Sequence, residues 1–211
     1  MSNPASSEKI RAIAFDFGGV IELFGGGNIL VGLSTLLGIP LPELREVYFK
    51  NNHLANVENM RWEEMILKVI SHFDSSKETA EKVKSYILAD ALNRRINDEL
   101  LGWFPALRKQ GLKIALLSNA TTELREKLQE KGLHDAFDAI VISGEIGFQK
   151  PHKEAFDALF KELGVMPHEL VFVDDGAPSL AKAAEIGYTP ILFRDNAQLK
   201  AELAGLGISV E

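Results

Sequence analysis

Asp16, Ser118, Asn119, Lys150, Asp174 and Asp175 are the residues of this chain whose types and spacing could do chemistry. Asp16 closes the apolar run Ala12-Ile-Ala-Phe15 and is followed, one residue on, by Gly18 and Gly19. Ser118 and Asn119 end Ile114-Ala-Leu-Leu117, and Asp174 with Asp175 end Leu170-Val-Phe-Val173. Lys150 stands in Gly147-Phe-Gln-Lys-Pro151, after a further such run. A carboxylate, a hydroxyl, an ammonium and an acidic pair on one sheet edge suit phosphoryl transfer. The acids can hold Mg²⁺, which takes hard oxygen ligands. Lys150 and the Ser118 hydroxyl would meet the oxygens of the transferring group. Asp16 would attack phosphorus to give an acyl phosphate, splitting one hard displacement into two easier ones.

Taken singly, each has a plainer reading. An Asp at a strand end is ordinarily a turn or cap residue, and Ser118-Asn119 would cap the next helix. Asp174-Asp175-Gly176 is an ordinary turn and Lys150-Pro151 an ordinary entry into a helix. Their conjunction at successive strand ends is what points to a reaction.

For these groups to meet, the apolar runs must be neighbouring strands. Strands are expected over 9–17, 113–119, 138–144, 170–175 and 189–193, the later ones alternating with helices. Runs that are apolar throughout, separated by helices, predict a parallel sheet covered on both faces, with its chemistry at the carboxyl edge. A helix is expected near 98–110, kinked or restarted at Pro105, and another over 121–131. Between the first strand and the rest, Trp62, Met65, Ile66, Val69, Ile70 and Phe73 recur at helical spacing. Leu41, Leu44, Val47 and Tyr48 do so more weakly, as do Val83, Tyr86, Ile87 and Ala91. The division expected is a core of residues 1–21 and 96–211 with an all-helical insert of residues 22–95. Gly25-Gly-Gly27 reads as a hinge for that insert, Glu22 as a solvated linker residue or a substitute acid. Asn52, His53, Asn56 and Arg61 are candidates for facing a substrate.

Composition narrows the partners. At 211 residues the chain has room for a core and a smaller inserted domain. A net charge of −7 argues against nucleic acid or an anionic membrane surface. The absence of cysteine excludes disulfides and thiolate metal sites. The N-terminus lacks the apolar core of a secretory signal, and Ile29 to Leu41 is too short and interrupted to span a bilayer. A soluble cytoplasmic protein is expected, monomer or homodimer, acting on a small-molecule phosphate ester.

As a set the motifs resemble those of the haloacid dehalogenase superfamily: Phe15-Asp-Phe-Gly-Gly-Val20, Leu117-Ser-Asn119, Lys150-Pro151 and Phe172-Val-Asp-Asp175. The helical insert is similar to that family's C1-type cap, a four-helix lid. The resemblance implies a Rossmann-like doubly wound α/β core, Asp16 as nucleophile, and phosphate held by Ser118, Asn119 and Lys150. It also implies Mg²⁺ on Asp16, the backbone carbonyl of Gly18, Asp174 and Asp175. Gly18 departs from the pattern. Phosphatases of this family usually carry there an Asp that protonates the leaving oxygen and later activates water, help worth about 10²–10⁴-fold. The function expected is a Mg²⁺-dependent phosphatase of small phosphorylated metabolites. The alternatives are a 2-haloacid dehalogenase, which needs no leaving-group acid, and a weakly active domain that binds a phosphometabolite. Asp175 weighs against dehalogenation, because a second buried carboxylate beside an attacking one makes sense mainly with a cation between them.

Overall fold

The computed structural model describes residues 9–25 and 27–211; residues 1–8 and Gly26, part of the stretches read for a signal and a hinge, lie outside the described set. Five parallel strands form the sheet: β1 (Ala12–Phe15), β4 (Lys113–Ser118), β5 (Ala139–Ile142), β6 (Leu170–Asp174) and β7 (Thr189–Leu192). Two-residue strands β2 (Glu22–Leu23) and β3 (Arg95–Ile96) pair antiparallel apart from it. The order across the sheet is β5-β4-β1-β6-β7. From β1 the chain winds one way to β4 and β5, then crosses to β6 and β7. The reversal falls at β1, and Asp16 comes immediately after it, at the crevice where such sheets bind ligands.

Side chains alternate between two faces. Ile13, Phe15, Ile114, Leu116, Val171 and Val173 pack on one, against α6 (Asp98–Lys109), α7 (Glu123–Glu130) and α11 (Asn196–Gly205). Ala12, Ala14, Ala115, Leu117 and Phe172 pack on the other, against α9 (Lys153–Leu163) and α10 (Ala183–Ile186). The alanines leave room for Phe156 of α9, which stacks on Tyr188 and meets Phe172 edge-on. Burial on both faces is why Ala12–Phe15, Ile114–Leu117 and Leu170–Val173 are apolar at successive positions. The one-turn helix α8 (Ser143–Ile146) follows β5 directly.

Among the described residues, five helices lie between β2 and β3: α1 (Ile29–Leu37), α2 (Leu41–Asn51), α3 (His53–Asn56), α4 (Trp62–Ser71) and α5 (Lys77–Leu92). Leu30, Leu33, Leu44, Met65, Ile66, Val69, Ile70 and Val83 give them a core of their own. Asn28 caps α1 by accepting from the Leu30 amide, and Gly38, at φ 66°, ends it in the left-handed conformation that glycine adopts freely. Among the described residues no helix is long and apolar enough to cross a membrane.

Several boundaries differ from expectation. β1 stops at Phe15, not residue 17, because Phe17 begins a turn in which its carbonyl accepts the Ile21 and Glu22 amides. The stretch expected to be helical from residue 22 starts and ends in the β2–β3 pair. α6 runs unbroken through Pro105. That proline sits on the exposed face, where water can take the carbonyl it leaves without a partner.

Candidate active site

The Asp16 amide still bonds the Val173 carbonyl at 2.9 Å, carrying the β1–β6 register one residue past the strand. Its side chain thereby stands beside Asp174, the last residue of β6. Asp16 Oδ1 accepts the Phe17 amide at 2.7 Å. Gly19 lies at φ +82°, and a Cβ there would fall 2.2 Å from Asp175 Oδ2. Only glycine lets the first loop come so close to the acid after β6. A Cβ on Gly18 would meet the Phe24 ring at 3.2 Å.

Lys150 is 3 % exposed and lies between the acids. Its Nζ is 3.0 Å from Asp16 Oδ1 and 2.5 Å from Asp174 Oδ2, with the Phe172 ring beneath at 5.2 Å. Asp174 is 1 % exposed, and its other oxygen accepts the Gly176 amide at 2.7 Å. One carboxylate oxygen from each of Asp16, Asp174 and Asp175 lies within 4.8 Å of the other two.

This crowding shows in the protonation equilibria. Burial, opposed by Lys150 and aided by Asp174 and Asp175, pushes Asp16 up to about 7. Loss of hydration and the Asp174 charge, again against Lys150, push Asp175 up to about 6. Burial works against the Lys150 charge, but Asp16 and Asp174 outweigh it and hold the ammonium above its ordinary value. When all three carboxylates are ionised they exceed the one ammonium by two negative charges, which is why protons are held so readily here. An all-oxygen donor set with that deficit fits a hard divalent cation.

Ser118 ends β4 and is buried. The β1–β4 register, Phe15 opposite Leu116, puts it at the same edge as Asp16. Asn119 is turned to Lys150: its Oδ1 accepts the Lys150 amide at 2.7 Å and its Nδ2 donates to the Lys150 carbonyl at 3.1 Å. The structure thus joins Asp16, Lys150, Asp174 and Asp175 directly and Asn119 through the Lys150 backbone.

Glu22 corrects the sequence reading. It is buried rather than solvated, 2.7 Å from Lys127, 3.7 Å from Arg94 and 3.9 Å from Lys131. Three cations occupy its oxygens, which face Lys127, Arg94 and Lys131 rather than the Asp16 crevice. Glu22→Gln is expected to leave the pH–rate profile unchanged and to lower stability by about 1–3 kcal/mol through the weakened charged hydrogen bond. A profile with a displaced limb would restore a catalytic role to Glu22. Of the candidates for facing a substrate, Asn56 donates to Gln149, next to Lys150, at 2.9 Å, and Arg61 lies 3.7 Å from Glu123. Sequence reasoning missed Asn59, at φ 58°, whose amide donates to the Gly144 carbonyl at 2.7 Å and whose oxygen accepts the Thr122 amide at 3.0 Å. Asn is the non-glycine residue that tolerates this conformation best, which was its available signal.

The model of the haloacid dehalogenase-like hydrolases matches residues 10–187, and the chain belongs to that family. It is similar to a phosphatase of Mycobacterium tuberculosis, 27% identical over 94% of this chain and 96% of the relative. It is also similar to the D-ribitol-5-phosphate phosphatase of Bacteroides thetaiotaomicron, 27% identical over 92% and 97%. Among solved structures, a family enzyme of Bacteroides thetaiotaomicron in complex with magnesium and inorganic phosphate superposes with a TM-score of 0.61. It covers 90% of this chain and 98% of that one at 19% identity, a likeness of fold. The protein is therefore a hydrolase with a doubly wound α/β core.

Proposed function

We propose that this protein hydrolyses a small phosphorylated metabolite in a Mg²⁺-dependent reaction through an aspartyl-phosphate on Asp16. The observation that carries the reading is the charge deficit: three carboxylates converge around one buried lysine that contacts two of them, Asp16 and Asp174. Asp16, the Gly18 carbonyl, Asp174 and Asp175 would hold the ion. When bound, it supplies charge that offsets the carboxylates and the transferring oxygens.

The Asp16 carboxylate forms a bond to phosphorus as the ester P–O bond breaks, and the organic oxygen departs with the electron pair. Two Lys150 N–H groups point to Asp16 and Asp174, leaving the third for a phosphoryl oxygen. The Ser118 hydroxyl donates to a second of these oxygens. Water then attacks phosphorus, frees Asp16 and releases inorganic phosphate. Gly18 has no side chain to protonate the departing oxygen, so the first step depends on how stable that oxyanion is.

The test is phosphate release from a panel of sugar, polyol, aryl and acyl phosphates with Mg²⁺ or EDTA. The D-ribitol-5-phosphate phosphatase relative puts polyol phosphates at its head. Turnover should vanish with EDTA, and aryl or acyl phosphates should outpace alkyl esters by about 10²-fold, the size of one missing general acid. Halide release from a 2-haloacid that survives EDTA would overturn the reading, as would phosphate release that survives it.

A further inference from the structure

Lys150 must hold one ammonium between two carboxylates, yet it hangs from the irregular segment 147–152 between α8 and α9. Both of its main-chain groups are taken by one side chain. Asn119 accepts the Lys150 amide at 2.7 Å through Oδ1 and donates to the Lys150 carbonyl at 3.1 Å through Nδ2. Two bonds from one planar carboxamide to one residue fix rotation as well as position. Asn119 follows β4, the immediate neighbour of β1, so the grip refers Lys150 to the same sheet that carries Asp16. One residue earlier, the Gln149 side chain accepts from Asn56 of α3 at 2.9 Å. The segment is thus tied to the sheet at Lys150 and to the helical layer at Gln149.

We propose that Asn119 is a positioning residue, setting the Lys150 ammonium against Asp16 by holding the Lys150 main chain at both its polar groups. For its activity readout the proposal rests on the phosphatase reading above; the labelling readout does not. Without the carboxamide the Lys150 main chain loses both partners and the ammonium its fixed reach. A displacement of about 1 Å in a reacting array costs on the order of 10²-fold in rate. A residue that only bound phosphate would act whether or not Lys150 carried its amine. A residue that acts through Lys150 has nothing left to do once that amine is gone.

Two measurements on the full chain decide this. First, Asn119→Ala is made in the wild-type and in the Lys150→Met background, and kcat is compared. The expected loss is about 30- to 100-fold in the first and under about threefold in the second, the non-additivity of coupled residues. Second, an amine-reactive acylating reagent is applied at fixed pH to the folded proteins and read lysine by lysine by peptide mass spectrometry. Lys150 should label at least about tenfold faster in Asn119→Ala than in wild type, as a side chain whose local opening is easier, with the other lysines unchanged. Asn119→Asp keeps the acceptor for the Lys150 amide, so it should fall between the two.

Equal kcat factors in the two backgrounds, or unchanged Lys150 labelling, would overturn the proposal while wild-type phosphate release left the phosphatase reading standing. A wild type that released no phosphate would sink that reading, and the labelling would still decide Asn119. Faster labelling of Lys113, bonded to the Leu163 carbonyl, and Lys127, paired with Glu22, along with Lys150 in Asn119→Ala would mark general unfolding and count against the proposal.

Discussion

The Asp16→Asn substitution is expected to lower kcat/KM on the order of 10⁴-fold or more, the scale of losing a covalent nucleophile. The same change should make the metal-free protein more stable at pH 8. Asn fills the same volume, and its oxygen can still accept the Phe17 amide and Lys150, but a carboxamide cannot form the acyl phosphate. The stability gain follows from the sign of the Asp16 shift. Its carboxyl rises from 3.8 to about 7 on folding, so the folded chain binds the proton more tightly than the unfolded chain. That contribution is complete below the unfolded value and is lost as pH rises through the folded one. The advantage of the Asp16→Asn variant over the wild type should therefore grow between pH 4 and 7 and level off above. Mg²⁺ should act oppositely, because it competes with protons for the carboxylates. It should raise the wild-type Tm more at pH 8 than at pH 5, and raise that of Asp16→Asn less. Thermal unfolding of both proteins at the two pH values, with and without Mg²⁺, measures all of this. A variant within tenfold of wild-type activity would remove Asp16 from the chemistry. An equal Mg²⁺ effect on both proteins would remove it from the cation site.

The strand ends were legible because burial on both faces makes β1, β4 and β6 apolar runs, and such runs ending in groups that suit one reaction outweigh the turn or cap reading of each alone. Their edges were less legible because pairing, not apolarity, ends a strand: Phe17 is buried, like Phe15, yet belongs to a turn. The β2–β3 pair is two residues long and leaves no periodicity to read. Glu22 was misread for a different reason. Lys127 and Lys131, two of its partners, lie over a hundred residues downstream, and nothing local distinguishes a buried acid from a solvated one. The need for glycine at position 19 is equally remote, since the colliding atoms belong to Asp175. The second motif was visible as Ser118-Asn119, but the use of Asn119 depends on where the segment around Lys150 comes to rest. Sequence displays which groups could react; their mutual support is a property of contacts between distant segments.

Replacing Lys150 by Met should damage catalysis and folding together, and the two losses can be separated. Loss of a donor aimed at the transferring charge is expected to lower kcat by about 10²–10³-fold. The ammonium is buried with Asp16 at 3.0 Å and Asp174 at 2.5 Å, so its removal leaves facing carboxylates without the counter-charge they share. Breaking a buried pair in this one-sided way costs about 3–5 kcal/mol, and at about 2–4 °C per kcal/mol for a chain of this size Tm should fall on the order of 10 °C. The deficit must grow with pH. In the variant Asp16, which burial already raises, also loses the lysine that lowered it, so acid conditions relieve the repulsion and alkaline conditions expose it. In the wild type the Lys150 pKa lies above its ordinary value, so its contribution persists until strongly alkaline pH. Mg²⁺ supplies positive charge to the same carboxylates and should return part of the lost Tm at pH 8 while leaving kcat low, because the donor to the phosphoryl oxygens stays absent. Wild-type stability at pH 8 without the ion would mean that desolvation of Lys150 consumes all that its two contacts provide, and that the lysine is kept for the reaction alone.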